Sequence, residues 1–387
     1  MFNYNIKKIV VMLTAVMILS FSAAAIIFIA TGGINKSFIS MNPKNSQTYS
    51  INEEKANKVK DIKEIYVDNS FPDINVKVEN TDEVKAHLYG KMTSNFKPKL
   101  ETKVEGNKLI IKSSSESHFG FMNFSGNLNL DITIPSSYNS SIEINSASGK
   151  VTTLSPLKLS DFKIHLASGD TNLKDLTAED LTVKSSSGVI TGGNVSSKNT
   201  HFESTSGNIK LKSLTTEDII ISSSSGVING ETITSKKASI KSTSGDIIFK
   251  NLTSDNLAIS SSSGSIKGDT VNSKDTLLSS TSGDMKLSTF KGNIDQKTSS
   301  GKVLITYSEF NNNVKLSSTS GDITLNLPKD SQFKLNAETT SGDINCSFPI
   351  TIQEKSKKDN LLIGTVGSDK NSIEVTASSG DVDINSK

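Results

Sequence analysis

The sequence predicts an all-β fold, a single-stranded parallel β-helix or β-solenoid of about 12 coils with about 19 residues each. Two observations predict it. A glycine that follows a serine returns every 18 to 21 residues, and the one longer interval, 38, equals two steps of 19. Apolar residues also fall at the same offsets after successive glycines, in short stretches with the period of two that is typical of strands. A regular period of this length indicates stacked repeats.

The repeat glycines are the site residues that the sequence predicts, and their predicted role is structural. A glycine is expected at a recurring corner where φ is positive or where two backbones approach closely. The repeat glycines are Gly149, Gly169, Gly188, Gly207, Gly226, Gly245, Gly264, Gly283, Gly301, Gly321, Gly342 and Gly380.

Each coil supplies too few apolar residues for a core of its own, so the coils must stack to bury them. The coil that begins at Gly245 supplies Ile247, Phe249, Leu252, Leu257 and Ile259. At the second of these positions a large residue alternates with glycine along the chain. Leu211, Phe249 and Leu287 are the large residues, and Gly192, Gly230 and Gly268 lie between them. We therefore predict thick and thin coils in alternation, which fill a narrow interior densely.

Serines precede each repeat glycine, and their phase predicts inward hydroxyls that bond to the next coil. Ser223 and Ser225, Ser242 and Ser244, and Ser261 and Ser263 are the examples. The alternative is an exposed hydroxyl array that binds a glycan or ice.

The residue after the glycine is often aspartate: Asp170, Asp246, Asp284, Asp322, Asp343 and Asp381. In the regular part these carboxylates lie two coils apart, too far to share a calcium ion, and only Asp322 and Asp343 are expected on successive coils. No metal and no cofactor is predicted.

The N-terminal segment predicts a membrane anchor. Residues 1–8 form a short cytoplasmic end with Lys7 and Lys8, and residues 9–30 carry no charge over a length that spans a bilayer as a helix. This predicts a single-pass cell-membrane protein with most of its chain extracellular. A cleaved signal peptide is the alternative, because Ala23, Ala24 and Ala25 are small residues of the kind found at cleavage sites.

Two further segments precede the repeats. Residues 31–60 are polar and predict a linker. Residues 61–145 predict strands without the glycine period, and we expect a β-rich N-terminal cap there, because the ends of a solenoid need covering. A Phe-rich loop over 113–126 is expected to cover apolar surface or to form a contact patch. The solenoid repeat domain is predicted over 146–387.

Catalysis and nucleic-acid binding have little support. The net charge is +2, and the chain has no arginine. Four histidines, at positions 87, 118, 165 and 201, are scattered, and none lies at metal-ligand spacing from another histidine or from cysteine. A polysaccharide-degrading β-helix would need a cluster of acids and cations that breaks the repeat, whereas the acids here follow it. The sequence therefore predicts a protein that is not an enzyme.

The Ser-Gly-Asp-Ile coils, the leading segment 129–135 (NLDITIP) and the closing segment 372–384 (SIEVTASSGDVDI) resemble the bacterial putative-adhesin family of β-strand repeat envelope proteins. The resemblance covers residues 62–387 and implies an envelope β-solenoid without catalytic residues. We expect a non-enzymatic binding or adhesion module. Its partners would be the membrane, through the N-terminal helix, and a cell-wall polymer, a glycan or an envelope protein. The alternatives are an envelope-stress regulator or antimicrobial sensor that acts through a membrane partner, and a β-helix enzyme.

Overall fold

The computed structural model describes residues 46–94, 96–114, 125–356 and 360–387. In these residues the chain is all-β and its strands join in one continuous sheet that winds into a solenoid. The predicted fold class is therefore confirmed. The predicted membrane helix over 9–30 and most of the Phe-rich loop (115–124) lie outside the described residues. Within the described part, no helix is long and apolar enough to cross a membrane.

The strands of the described residues, in chain order, are β1 (Gln47–Lys58), β2 (Glu64–Asn69), β3 (Asp73–Glu79), β4 (Glu83–Ser94), β5 (Lys99–Glu105), β6 (Lys108–Ser114), β7 (Ser125–Pro135), β8 (Ser141–Ser146), β9 (Val151–Thr153), β10 (Leu157–Leu166), β11 (Thr171–Ser185), β12 (Ile190–Ser204), β13 (Ile209–Thr215), β14 (Asp218–Ser223), β15 (Ile228–Ser242), β16 (Ile247–Ser261), β17 (Ile266–Ser280), β18 (Met285–Ser300), β19 (Val303–Tyr307), β20 (Val314–Ser320), β21 (Ile323–Leu327), β22 (Phe333–Ser341), β23 (Ile344–Cys346), β24 (Thr351–Lys355), β25 (Leu361–Val366), β26 (Ser372–Ser379) and β27 (Val382–Ser386).

Parallel pairing with an offset of 19 residues defines the regular part of the solenoid. Ile228 pairs with Ile247, and Ile247 pairs with Ile266, so equivalent residues lie directly above one another. The solenoid has about ten such turns of about 19 residues, against the 12 coils expected from the glycines. Alternate side chains point inward along each strand, and the buried apolar residues of all turns form one core.

Thick and thin coils alternate as predicted. Phe249 is buried and lies directly over Gly230 in the ladder of β15 and β16. A methyl group at Gly230 would lie 2.7 Å from a ring carbon of Phe249. Gly268 likewise pairs with Leu287. The glycine coils therefore leave room that the large side chains of the neighbouring coil fill.

The N-terminal end corrects two predictions. β2 lies between β6 and β8 and pairs in parallel with both, and β3 lies in the same way between β7 and β9. The solenoid thus includes much of the segment predicted as a separate cap, and the boundary at residue 146 is too late. The glycine period fails there because coils that are neighbours in space are not neighbours in sequence.

Antiparallel strands cover this end of the solenoid. β4 pairs with β7, β1 pairs with β4, and β5 pairs with β6. The linker predicted over 31–60 is therefore wrong for residues 47–58. Backbone pairing along all 12 residues of β1 holds this strand, and only Ile51 is buried, so its side chains carry little apolar pattern.

The C-terminal end has a corresponding insertion. The last two strands, β26 and β27, lie between β20–β21 on one side and β22–β23 on the other, in parallel register with both pairs. The antiparallel strands β25 and β24 then extend the sheet from β22. The final segment of the chain is therefore an interior level of the stack.

Candidate functional site

The repeat glycines form a column along one corner of the solenoid. A Cβ at Gly207 would lie 1.9 Å from the carbonyl oxygen of Gly188, and one at Gly226 would lie 2.0 Å from that of Gly207. In the regular middle the glycines do not have positive φ, whereas Gly301 and Gly321, nearer the C-terminal end, do. Close backbone approach is thus the common requirement at this corner.

The serines before the glycines differ from the prediction. Ser223 is buried, but its hydroxyl donates to the carbonyl of Gly226 in its own turn at 2.8 Å, and Ser242 donates to Gly245 in the same way. Ser225 is exposed, as are Ser244 and Ser263, because the chain turns at the corner and the alternation of inward and outward residues stops there. The serine motif therefore closes the corner within each turn.

The aspartates after the glycines link successive turns. Asp246 Oδ1 accepts two hydrogen bonds from Ser265, one from the backbone N–H at 2.8 Å and one from the side-chain hydroxyl at 2.9 Å. Asp170 accepts a hydrogen bond from the backbone N–H of Val189. One expectation needs correction: Asp322 and Asp343 are not on adjacent levels, because β27 places Asp381 between them. Among the described residues, no group of three potential ligands is placed to hold a metal ion.

Two histidines that looked scattered, His165 and His201, lie on the same outward face, two levels apart. His165, Lys184 and Glu203 occupy the same position on three successive levels, and His201 lies beside Glu203. Lys184 Nζ is 2.8 Å from a carboxylate oxygen of Glu203, and His201 Nε2 is 3.6 Å from it. The signal was present in the sequence for three of the four residues, because positions 165, 184 and 203 are spaced by 19.

The electrostatics of this cluster follow from burial and from Lys184. Burial lowers the pKa of His201, the positive charge of Lys184 lowers it further, and Glu203 opposes both effects. The hydrogen bond from Lys184 lowers the pKa of Glu203 below its usual range. At neutral pH the cluster is therefore an ion pair beside an uncharged imidazole, an arrangement that can stabilise the face without performing chemistry.

An open groove runs along the same face, further toward the C-terminus, and has a volume of about 970 Å³. We call it the lateral groove. Its floor consists of the outward residues of seven successive levels: Ile220, Ser239, Ala258, Leu277, Asp295, Lys315 and Glu374. At about 4.8 Å per level, this floor is about 29 Å long. Sequence reasoning missed it because each residue alone is an ordinary outward position.

The lateral groove has an apolar half and a charged half. Ile220 and Leu277 are each 50% exposed, although both are large aliphatic residues. Small side chains separate them on the intervening levels, so the apolar half is a shallow trough. In the charged half, Lys315 Nζ lies 3.7 Å from a carboxylate oxygen of Glu374, while one oxygen of Asp295 is buried without a hydrogen-bond partner.

A protein-family model, described as Toastrack DUF4097, matches residues 62–232 and 215–385 of the chain. The chain belongs to this family. The two matches overlap and together span most of the sequence, in agreement with a Toastrack domain built from repeats of one coil. A comparison with curated proteins finds no match.

Solved structures similar to this Toastrack chain share little sequence with it. A putative cell adhesion protein from Clostridium sporogenes is 14% identical with a TM-score of 0.17, and the match covers 88% of this chain and 100% of that one. A putative adhesin from Parabacteroides merdae is 17% identical with a TM-score of 0.36, covering 70% and 95%. A putative lipid binding protein from Parabacteroides distasonis is 16% identical with a TM-score of 0.36, covering 71% and 96%. At these identities the likeness says nothing about a ligand.

Proposed function

We propose that this Toastrack chain is a membrane-anchored, extracellular β-solenoid that acts as a non-enzymatic binding or adhesion module of the bacterial cell envelope. The lateral groove carries the proposal. It exposes two large aliphatic side chains in line, Ile220 and Leu277, between polar and charged residues. An exposed apolar strip with a polar rim is typical of an interaction site.

The use of the acidic residues supports a non-enzymatic role. A general acid or base needs a carboxylate that is free to exchange a proton with a substrate. The repeat aspartates are instead engaged in hydrogen bonds between turns, as Asp170, Asp246 and Asp284 illustrate. These carboxylates follow the repeat and stabilise the stacking.

The cellular location is proposed from the N-terminal sequence. The uncharged segment 9–30 is long enough to span a bilayer, and Lys7 and Lys8 precede it on the short side. We propose from this orientation that the solenoid lies outside the cell, where a long side face can contact wall polymers or the surface of another cell.

Binding to envelopes tests the role of the lateral groove. The full chain in detergent micelles would be sedimented with purified cell-wall sacculi and with intact bacteria. We expect the wild-type chain to sediment with one of them and the double variant Ile220→Ser/Leu277→Ser to remain in the supernatant. The matched control is Val104→Ser/Ile352→Ser, because these residues are exposed to the same extent, 50% and 52%, on strands outside the groove.

The proposal fails if the wild-type chain binds neither preparation, or if the groove variant and the control bind equally well. Circular dichroism of both variants shows whether the fold is retained. Since all four side chains are half exposed, neither double variant is expected to unfold.

A further inference from the structure

Another side of the solenoid carries a surface that is almost free of charge. On seven successive levels, two outward residues flank one buried apolar residue, and equivalent residues pair between levels. We call this surface the hydroxyl–amide face. One column is Asp175, Asn194, Ser213, Thr232, Asn251, Thr270 and Thr289, and the other is Thr177, Ser196, Thr215, Thr234, Thr253, Asn272 and Lys291.

Charge is confined to the two ends of this face. Asp175 lies at the first level and Lys291 at the last, and every position between them is threonine, serine or asparagine. Charged residues make up 21% of the chain, and the lateral groove on the other face carries both signs. The absence of charge is therefore a property of this face.

The polar groups of the hydroxyl–amide face are available to a ligand. Asn194 donates to Asp175 Oδ1 at 2.7 Å. Lys291, at the last level, forms an ion pair with Glu309. Within the described part of the chain, the threonine, serine and remaining asparagine side chains of the face make no hydrogen bond to protein groups, in contrast to the corner hydroxyls such as Ser235, which donates to Ser254. The face thus presents aligned donors and acceptors to the solvent.

The surface is also indented at one end. A depression of about 410 Å³ covers the first three levels, and both columns contribute to its lining through residues such as Thr177, Asn194 and Ser213. Pro156 and Leu157 close it at the edge. The depression gives a bound chain a fixed starting point.

We propose that the hydroxyl–amide face binds an uncharged polysaccharide that lies along the solenoid axis. Hydroxyl and amide groups both donate and accept, so they match the hydroxyl groups of sugars. The rise of about 4.8 Å per level is close to the length of one sugar residue in an extended chain, so successive sugars meet successive levels. Beside the first column, Lys212 and Lys250 alternate with Glu231 and Asp269, so a phosphate or carboxylate polymer would meet no continuous row of counter-charges.

Two features of the face decide how binding depends on the ligand. No aromatic ring is exposed on it, because Phe290 between Thr289 and Lys291 is buried. Each level therefore contributes little, and affinity rises with polymer length over the roughly 29 Å of the face. An ice lattice would require the same side chain at each level, whereas threonine, serine and asparagine are mixed here.

Affinity electrophoresis of the full chain in a mild non-ionic detergent tests this inference. Native gels would contain hydroxyethylcellulose, dextran or laminarin, with polygalacturonate as the charged polymer. We expect retardation by at least one uncharged polymer. The variant Thr215→Val/Thr234→Val/Thr253→Val should bind at least about fivefold more weakly, because three central hydroxyls are lost while the β-branched shape stays.

The matched control is Thr152→Val/Thr191→Val/Thr324→Val, which makes the same change at outward positions on the face after the repeat glycines. It should bind like the wild type. The inference is overturned if no uncharged polymer retards the chain, if polygalacturonate retards it as strongly, if both triple variants weaken binding equally, or if the chain inhibits ice recrystallisation without binding a polymer. The groove variant Ile220→Ser/Leu277→Ser should still be retarded, so failure here and failure of the lateral groove are distinguishable.

Discussion

The alternation of thick and thin coils makes a quantitative prediction at Phe249. This ring is 1% exposed and fills the space over Gly230. Phe249→Ala removes the six ring atoms from a site where the neighbouring glycine has no side chain that could move in. The expected loss is about 3–5 kcal/mol, the range for removing a buried phenylalanine. Lys250→Ala, one residue along on the outward phase, should change stability by less than about 0.5 kcal/mol.

The glycine below the ring provides the second arm of the experiment. A methyl group at Gly230 would lie 2.7 Å from Phe249 and 2.7 Å from the end of Ile233. Gly230→Ala should therefore cost about 1–3 kcal/mol by overpacking. In the double variant Gly230→Ala/Phe249→Ala the methyl group enters the space left by the ring. The loss should be smaller than the sum of the two single losses by about 0.5–3 kcal/mol.

Urea unfolding monitored by circular dichroism would give the free energies, with hydrogen exchange to show whether the turns unfold together, because repeat proteins can depart from two-state behaviour. Two results would refute the reasoning. Equal losses for Phe249→Ala and Lys250→Ala would show that the assigned phase is wrong. Additive losses for the two core variants would show that the ring and the glycine are not packing partners.

Three further predictions concern the C-terminal insertion, the histidine cluster and the side of the membrane on which the solenoid lies. Deleting residues 372–387 should lower the melting temperature far more than the loss of an end repeat, because the deletion removes a level that pairs on both sides. Calorimetry would measure the melting temperature, and a fall of only a few degrees would contradict the insertion. Since the pKa of His201 is lowered on folding, the unfolded chain binds the proton more readily, so the folded state loses stability as the pH drops below the ordinary histidine pKa of about 6.5. The melting temperature of His201→Gln should fall less over this pH range than that of the wild type. An identical pH profile for the two proteins would exclude the effect. Ser262→Cys, at an exposed corner, should react with a membrane-impermeant maleimide in intact cells. The wild-type chain should react slowly, because burial raises the pKa of the Cys346 thiol. Labelling of the variant only after cell lysis would place the solenoid inside the cell.

The sequence predicted the repeat interior well because each inward position is fixed by contacts that recur every turn. Phe249 and Gly230 could be placed from the 19-residue period alone, and the structure puts them in contact. Strands were also predicted within residues 61–145, and β2 and β3 show the alternation of buried and outward residues on which that prediction rests.

The sequence did not predict the order of the coils at the two ends. Pairing of β2 with both β6 and β8 depends on backbone hydrogen bonds, which leave no trace in side-chain identity. The strand β1 was missed for a related reason, because it is an edge strand with one buried residue. The lateral groove was missed because its floor consists of residues that are 18, 19, 20 or 59 positions apart and becomes visible only once the levels are aligned.

The inserted C-terminal level connects the architecture with the proposed function. In a simple solenoid the last turn has one neighbour and unfolds first, so a binding surface that reached it would be the least stable part of the protein. Here the charged end of the lateral groove ends at Glu374 on β26, which pairs with β20 and with β22. The ion pair between Lys315 and Glu374 therefore joins residues that are far apart in sequence but lie on adjacent, internally held levels. The insertion stabilises the end of the groove that would otherwise fray, so the whole length of its floor can present one rigid surface to a partner.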